Sequence, residues 1–316
     1  MNEAFLAAAL AVFPGAGRNV ALPQAPPVPP SWSQGTFVAA DGTPLSYEYR
    51  PGSGPAVVLV HGLGIGAEGF DRWRDFFNGR PLMILERRGY GSPIGPVDAA
   101  DVGAVNQADI SAAVDEALRL DGGQPVGVLG YSLGALLLTA PDPARVRWLA
   151  LVCPGVPGMA ADLPAAEQAL AAQTRYWYGV ASAGGTAARD SWLMSVVAPG
   201  VLELAATARG LGLSTAADEL TADAASPEFL NLYTEESLWA YAQTRGFTPN
   251  PSVPVFVGYA ENDQVVPPAA VLSRVARLES EGARVSVAHW PGDHLDALAN
   301  PGLVRSALES FDAGTP

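Results

Sequence analysis

Val126-Gly127-Val128-Leu129-Gly130-Tyr131-Ser132-Leu133-Gly134-Ala135-Leu136-Leu137-Leu138 is the stretch that decides how this chain is read. Val126 to Leu129 is a short apolar, β-prone run, and Ala135 to Leu138 favours helix. Between them lies Gly130-Tyr131-Ser132-Leu133-Gly134, a G-x-S-x-G spacing. With 34 glycines in the chain such a pentapeptide arises easily by chance. A strand before it and a helix after it give it meaning, because the turn then becomes a strained elbow that projects Ser132 alone above a sheet edge. Gly130 and Gly134 leave room there for strand and helix to cross.

Outward from the elbow, uninterrupted apolar runs recur at Ala56 to Val60, Leu82 to Leu85, Val146 to Val152, Val255 to Val257 and Val285 to Ala288. Runs of this kind suit strands buried on both faces of a parallel sheet. Thr36 to Ala40 and Leu45 to Arg50 flank Asp41-Gly42 and predict an antiparallel hairpin. Helical patterns fall between the runs at Ala67 to Phe77, Ala108 to Leu120 and Pro268 to Glu279. The alternation predicts an α/β fold with a doubly wound, mostly parallel sheet of eight strands. From 155 to 250 no strand-like run appears, and Tyr176, Trp177, Trp192, Leu193, Phe229, Leu232, Leu238, Trp239 and Tyr241 recur at helical spacing. That segment is expected to be a helical insertion between strands 6 and 7, with 34–154 and 251–316 forming the core. Residues 1–33 read as an Ala/Pro-rich extension.

Composition removes several chemistries. The 316 residues carry a net charge of −14, which repels phosphate backbones and anionic lipid heads, so no nucleic-acid partner is expected. No lysine occurs, and all 18 cations are arginines. A Walker loop, a pyridoxal Schiff base and a Ser-x-x-Lys hydrolase are thereby excluded. Cys153 has no second cysteine to pair with and reads as an inert core residue. His61, His289 and His294 are the only histidines, with no helical metal-ligand spacing, so neither a metal nor a cofactor is expected. The apolar run Phe5 to Phe13 is shorter than the ~20 residues a bilayer requires, so no membrane span is expected. Glu3 stands where a signal peptide carries positive charge, so a cytoplasmic location is expected, with secretion as the alternative should residues 1–17 act as a signal peptide.

A serine hydroxyl needs a base to take its proton and a third group to orient that base. Asp263 lies in the loop after the strand that ends near Gly258, and His294 lies in the loop after Val285 to Ala288. Catalytic groups of open parallel sheets collect at the carboxyl ends of strands, so Ser132, Asp263 and His294 can converge. Asp293 and Glu261 are the competing carboxylates, and Asp263 is preferred because a sequence neighbour seldom reaches its own partner's Nδ1.

The chain resembles the capped, single-domain esterases of the α/β-hydrolase fold, from Gln34 to Phe311. Four features carry the resemblance: the strand ending in His61-Gly62-Leu63-Gly64, the turn Glu86-Arg87-Arg88-Gly89-Tyr90-Gly91-Ser92, the elbow at Ser132, and the loops of Asp263 and His294. The resemblance implies that His61-Gly62-Leu63-Gly64 is an oxyanion loop, with His61 and Gly62 supporting it and the Leu63 amide acting beside that of Leu133. It also implies that 155–250 is a cap over the site. Several residues depart from the family pattern. Ala135 stands where a second glycine is common, Glu86 replaces Asp, and Asp293 precedes His294 where glycine is common. Only eleven steps separate Ser132 from Pro143, so the helix behind the elbow is expected to be about a turn shorter than usual.

The expected function is therefore a serine hydrolase that cleaves an ester or related acyl bond of a small, mostly apolar molecule through an acyl-enzyme on Ser132. Two readings compete. Gly62-Leu63-Gly64-Ile65-Gly66-Ala67, with Glu86 beyond it, also satisfies a dinucleotide fingerprint and would suit an NAD(P)-dependent oxidoreductase. A non-catalytic ligand-binding homologue keeps the fold without turnover.

Overall fold

The computed structural model of the chain describes residues 32–77, 79–93, 102–158, 165–244 and 246–315. The extension expected over 1–33 therefore lies outside the described residues except for Trp32 and Ser33. Ser33 already begins a strand, and the guanidinium groups of Arg50 and Arg74 lie over the Trp32 ring.

The eight strands are β1 (Ser33–Val38), β2 (Pro44–Arg50), β3 (Val57–Val60), β4 (Leu82–Leu85), β5 (Val126–Tyr131), β6 (Val146–Val152), β7 (Val255–Ala260) and β8 (Val285–Trp290). They form one sheet in the order β1-β2-β4-β3-β5-β6-β7-β8. β1 and β2 pair antiparallel, as do β2 and β4, and the remaining neighbours are parallel. Alternate residues of the central strands face opposite sides. Val57, Leu59, Leu82, Ile84 and Trp148 enter one buried cluster, and Val58, Val60, Met83, Leu85 and Leu149 the other. Both faces being covered is why these strands read as unbroken apolar runs. β8 departs from that expectation. It is the edge strand, with Ser286, Val287 and His289 exposed, and it runs on to Trp290, so His289 sits within the strand and not after it.

Helices α1 (Val102–Leu120), α8 (Pro268–Ser280) and α9 (Gly302–Ala313) flank the sheet. α1 starts six residues earlier than its pattern predicts. The helix expected over Ala67 to Phe77 is a tight 3₁₀ segment, Ala67–Trp73, opened by the Gly66 N–H donating to Glu68 Oε1 at 2.7 Å. The helix behind the elbow, α2, is a single turn, Leu133–Leu136. Leu137 and Leu138, which read as its continuation, are buried in the strand-bound return to β6.

Between β6 and β7 the described residues contain only helices: α3 (Ala165–Ala183), α4 (Thr186–Trp192), α5 (Ala198–Gly210), α6 (Ser214–Asp223) and α7 (Pro227–Ala242). A π-helical turn, Leu193–Val197, joins α4 to α5. Thr186 to Gly210 is long and apolar enough to cross a bilayer by length and composition, yet Leu193, Val196, Val201, Leu204 and Ala208 are buried at helical spacing against protein. Ser226 caps α7 by accepting from the Phe229 N–H at 3.2 Å, and Pro227 occupies its first turn.

Arginine alone supplies the cations, and its planar fork suits buried pairing. Arg88 donates to Asp41, Thr43 and Asp109, tying the hairpin turn to α1.

Candidate active site

β5 ends at Tyr131, and Ser132 takes φ 53° and ψ −120°, a conformation a non-glycine residue adopts only when its surroundings hold it there. Three backbone bonds do so. Its N–H donates to Val152 O at 3.0 Å, and its carbonyl accepts from Ala135 N–H at 3.0 Å and Gly155 N–H at 2.9 Å. Glycine is required around it for space. A Cβ at Gly134 would lie 2.4 Å from Val60 O, one at Gly130 would lie 2.5 Å from Ala135 Cα, and one at Gly62 would lie 2.9 Å from Ser132 Cβ. The last distance brings the backbone of the His61-Gly62-Leu63 loop directly beside the hydroxyl.

Ser132, Asp263 and His294 meet at the carboxyl ends of β5, β7 and β8. Ser132 Oγ is 2.8 Å from His294 Nε2, and His294 Nδ1 is 2.8 Å from Asp263 Oδ2. The other oxygen of Asp263 accepts the N–H groups of Val265 and Val266, both at 2.8 Å, which fixes the carboxylate plane. The competing carboxylates are engaged elsewhere. Asp293 Oδ1 accepts the His294 N–H at 2.7 Å and the Gln264 N–H at 3.1 Å, so it staples the two loops together through backbone. Glu261 pairs with His289 at 2.7 Å on the exposed edge. Tyr131 donates its hydroxyl to the His294 carbonyl from below. The sequence does not mark Tyr131, Arg87, Tyr90 or Glu236 as functional; Tyr131 lies within the elbow motif and Arg87 and Tyr90 within the noted turn, whereas Glu236 leaves no signal.

His61 is buried, and its Nε2 accepts the Arg87 backbone N–H at 3.1 Å, which leaves the ring proton on Nδ1, 3.1 Å from Gly62 O. Burial and then the Arg87 charge push its pKa well below the ordinary histidine value, so it stays neutral. Leu63 and Leu133 border the cavity next to Ser132. The dinucleotide reading of the same loop meets an obstacle: the Gly66 N–H that would face a phosphate is held by the Glu68 carboxylate, and the 3₁₀ segment behind it offers no long helix dipole.

Among the described residues, Cys153, Asp263 and His294 form a group whose donor atoms lie within 4.8 Å of one another. Asp263 and His294 are hydrogen-bonded to each other, and burial followed by the Asp263 charge pushes the Cys153 thiol up, which keeps it protonated and a poor ligand.

Glu86 lies near Glu219, and burial followed by that negative neighbour raises its pKa to about 8. A carboxyl that ionises near 4.5 when unfolded but near 8 when folded holds an extra proton in the native state between those values, so stability falls as pH rises from about 4.5 to about 8. Glu86→Gln imitates the protonated form. Urea denaturation at pH 5 and pH 9 should show the variant gaining on the parent at the higher pH by on the order of 1–2 kcal/mol after allowance for partial solvation. An equal difference at both pH values would contradict this.

A cavity of about 170 Å³ opens beside Ser132 and His294. Its roof is built from the inserted helices, by Trp192, Val196 and Leu204 on one side and Tyr233, Leu238 and Tyr241 on the other. Among the described residues Glu203 is the single acidic side chain on its border, and no arginine lines it.

The family model for the alpha/beta hydrolase family matches residues 57–307. Similar solved structures include a protein assigned as an acyltransferase from Salmonella enterica, at 17% identity, covering 94% of this chain and 100% of that one with a TM-score of 0.67. A hydrolase from Pseudomonas aeruginosa PA01 is 18% identical, covers 88% and 98%, and has a TM-score of 0.59. A protein assigned as an aryl esterase from Burkholderia cenocepacia is 17% identical, covers 89% and 98%, and has a TM-score of 0.64. At these identities the likeness is one of fold. Comparison with curated proteins gives no match.

Proposed function

The chain belongs to the alpha/beta hydrolase family, and from that premise we propose that it is a serine hydrolase acting on an ester or related acyl bond. The observation that carries the reading is the unbroken relay from Ser132 Oγ through His294 to Asp263, with two contacts of 2.8 Å. His294 takes the Ser132 proton as Oγ bonds to the substrate carbonyl carbon, whose π electrons move onto its oxygen. The amides of Leu63 and Leu133 stabilise that oxyanion. Collapse expels the alcohol, which takes the proton back from His294 and leaves an acyl group on Ser132. Water then repeats the sequence, releasing the acid and free serine. Asp263 keeps the His294 proton on Nδ1, so that Nε2 faces Ser132 as an acceptor. Within this reading 155–250 is a cap, and its apolar roof favours a small, mostly uncharged substrate.

The test is covalent labelling. A fluorophosphonate should add once per folded chain, and trypsin should place the mass on fragment 120–145, which carries Ser132. Heat-denatured protein should stay unmarked because the hydroxyl has lost its base. A folded chain that takes no label would favour the non-catalytic ligand-binding reading.

A further inference from the structure

The Gly62 carbonyl and the Leu63 N–H belong to one peptide unit, and in a trans peptide they point in opposite directions. Whatever fixes that carbonyl also aims that N–H. Two donors fix it: Arg87 Nη2 at 2.6 Å and His61 Nδ1 at 3.1 Å. Arg87 is 1% exposed, and Glu236 receives it through both carboxylate oxygens, one of them at 3.3 Å. Asn106 closes the cluster, accepting from Arg87 Nη1 at 3.0 Å and donating to Glu236 Oε1 at 3.2 Å. Tyr90 donates to Glu236 Oε2 at 2.9 Å, accepts the Gly64 N–H at 3.0 Å, and lies under the guanidinium at 4.8 Å. One carboxylate thus grips the loop on both sides of Leu63.

Glu236 does not belong to the sheet. It is 2% exposed on α7, the last helix of the insertion. We propose that Glu236, acting through Arg87 and Tyr90, is a positioning residue that sets the Leu63 peptide and makes its alignment depend on α7 being docked. The inference rests on the serine-hydrolase reading above. A guanidinium on the carbonyl end also polarises the peptide, strengthening the N–H as a donor to a developing oxyanion. A buried ion pair contributes little net stability against its desolvation cost, whereas it can hold a geometry. Glu236 meets those terms: it is buried on an inserted helix and spends its hydrogen bonds on Arg87 and Tyr90, which hold a loop of the sheet domain.

Tyr90→Phe removes one arm of the grip and strands no charge; Glu236→Gln weakens both. With p-nitrophenyl butyrate, kcat should fall about 10-fold in the first and about 100-fold in the second, the second approaching the loss of one oxyanion donor. KM should stay within about threefold in both, since the ground-state carbonyl gains little from that donor. Affinity for an alkyl trifluoromethyl ketone, which adds to Ser132 and forms the oxyanion without turnover, should fall by the same factor as kcat/KM. A kcat within twofold of the parent, or a lowered kcat with unchanged ketone affinity, overturns the inference. Should Glu236→Gln fail to fold, Tyr90→Phe gives the same readouts alone. A parent protein inactive on the ester and blind to the ketone, or a Ser132→Ala variant as active as the parent, removes the hydrolase reading itself, an outcome separable from the first.

Discussion

Ser132→Ala is expected to lower kcat for p-nitrophenyl butyrate by roughly 10⁴- to 10⁶-fold, the range seen when a triad nucleophile is deleted. Among the described residues Ser132 is the hydroxyl seen in contact with His294 Nε2. The Cys153 thiol nearby is fully buried, and its pKa is pushed up. Folding should survive the change. The positive φ is imposed by backbone bonds to Val152, Ala135 and Gly155, which alanine keeps, and alanine is no more strained there than serine. The loss of one side-chain hydrogen bond should move stability by no more than about 1 kcal/mol. Steady-state turnover beside a urea melt separates the two effects. His289→Ala is the matched control: its pair with Glu261 is exposed, such pairs contribute about 0–1 kcal/mol, and its turnover should equal the parent's. Retained hydrolysis in Ser132→Ala would remove the acyl-enzyme.

The residues that could be read from sequence are those whose role is set by the strand they follow. Ser132, Asp263 and His294 each come shortly after an apolar β-prone run, and the sheet brings the carboxyl ends of those strands together. The errors arose where tertiary packing overrides local preference. Leu137 and Leu138 look like helix but are buried in a turn and an irregular return to β6, because apolar spacing does not distinguish a helix from a buried coil. The Ala67 segment is 3₁₀, and at its start Glu68 turns back to accept the Gly66 N–H. β8 looked fully buried since two valines flank a serine in it, and only its edge position exposes one of them.

Partners supplied by distant segments left no local mark. Asp293, weighed as a rival acid, resembles any loop aspartate in sequence; its work is to accept two N–H groups and hold the Asp263 and His294 loops at one height. Glu236 sits on a helix among other acidic residues, and nothing in its neighbours foretells that it meets Arg87 from 149 positions away. A buried carboxylate that stays ionised needs N–H donors or a cation, and Glu236 has a cation. In a chain without lysine that cation is arginine, but which arginine is a question of fold.

Asp263→Asn is expected to lower kcat about 10⁴-fold at neutral pH while leaving substrate binding nearly intact, a loss of the size that follows when an orienting aspartate becomes an amide. The cause is the direction of one proton. Asp263 Oδ1 accepts from two N–H groups, Val265 and Val266, so an asparagine must turn its carbonyl oxygen toward them and its NH₂ toward His294. The NH₂ then donates to Nδ1, the ring proton moves to Nε2, and Nε2 donates to Ser132 Oγ where it should accept. The hydroxyl keeps its proton and attack stops, although every heavy atom stays in place. Asp293→Asn makes the contrast, because it still offers a carbonyl to the His294 and Gln264 N–H groups and never touches the ring; turnover should change by less than about tenfold. Fluorophosphonate labelling rates reproduce the comparison without any assumption about the natural substrate, since labelling needs the same deprotonated oxygen. Equal labelling rates for Asp263→Asn and the parent would show that another group orients His294.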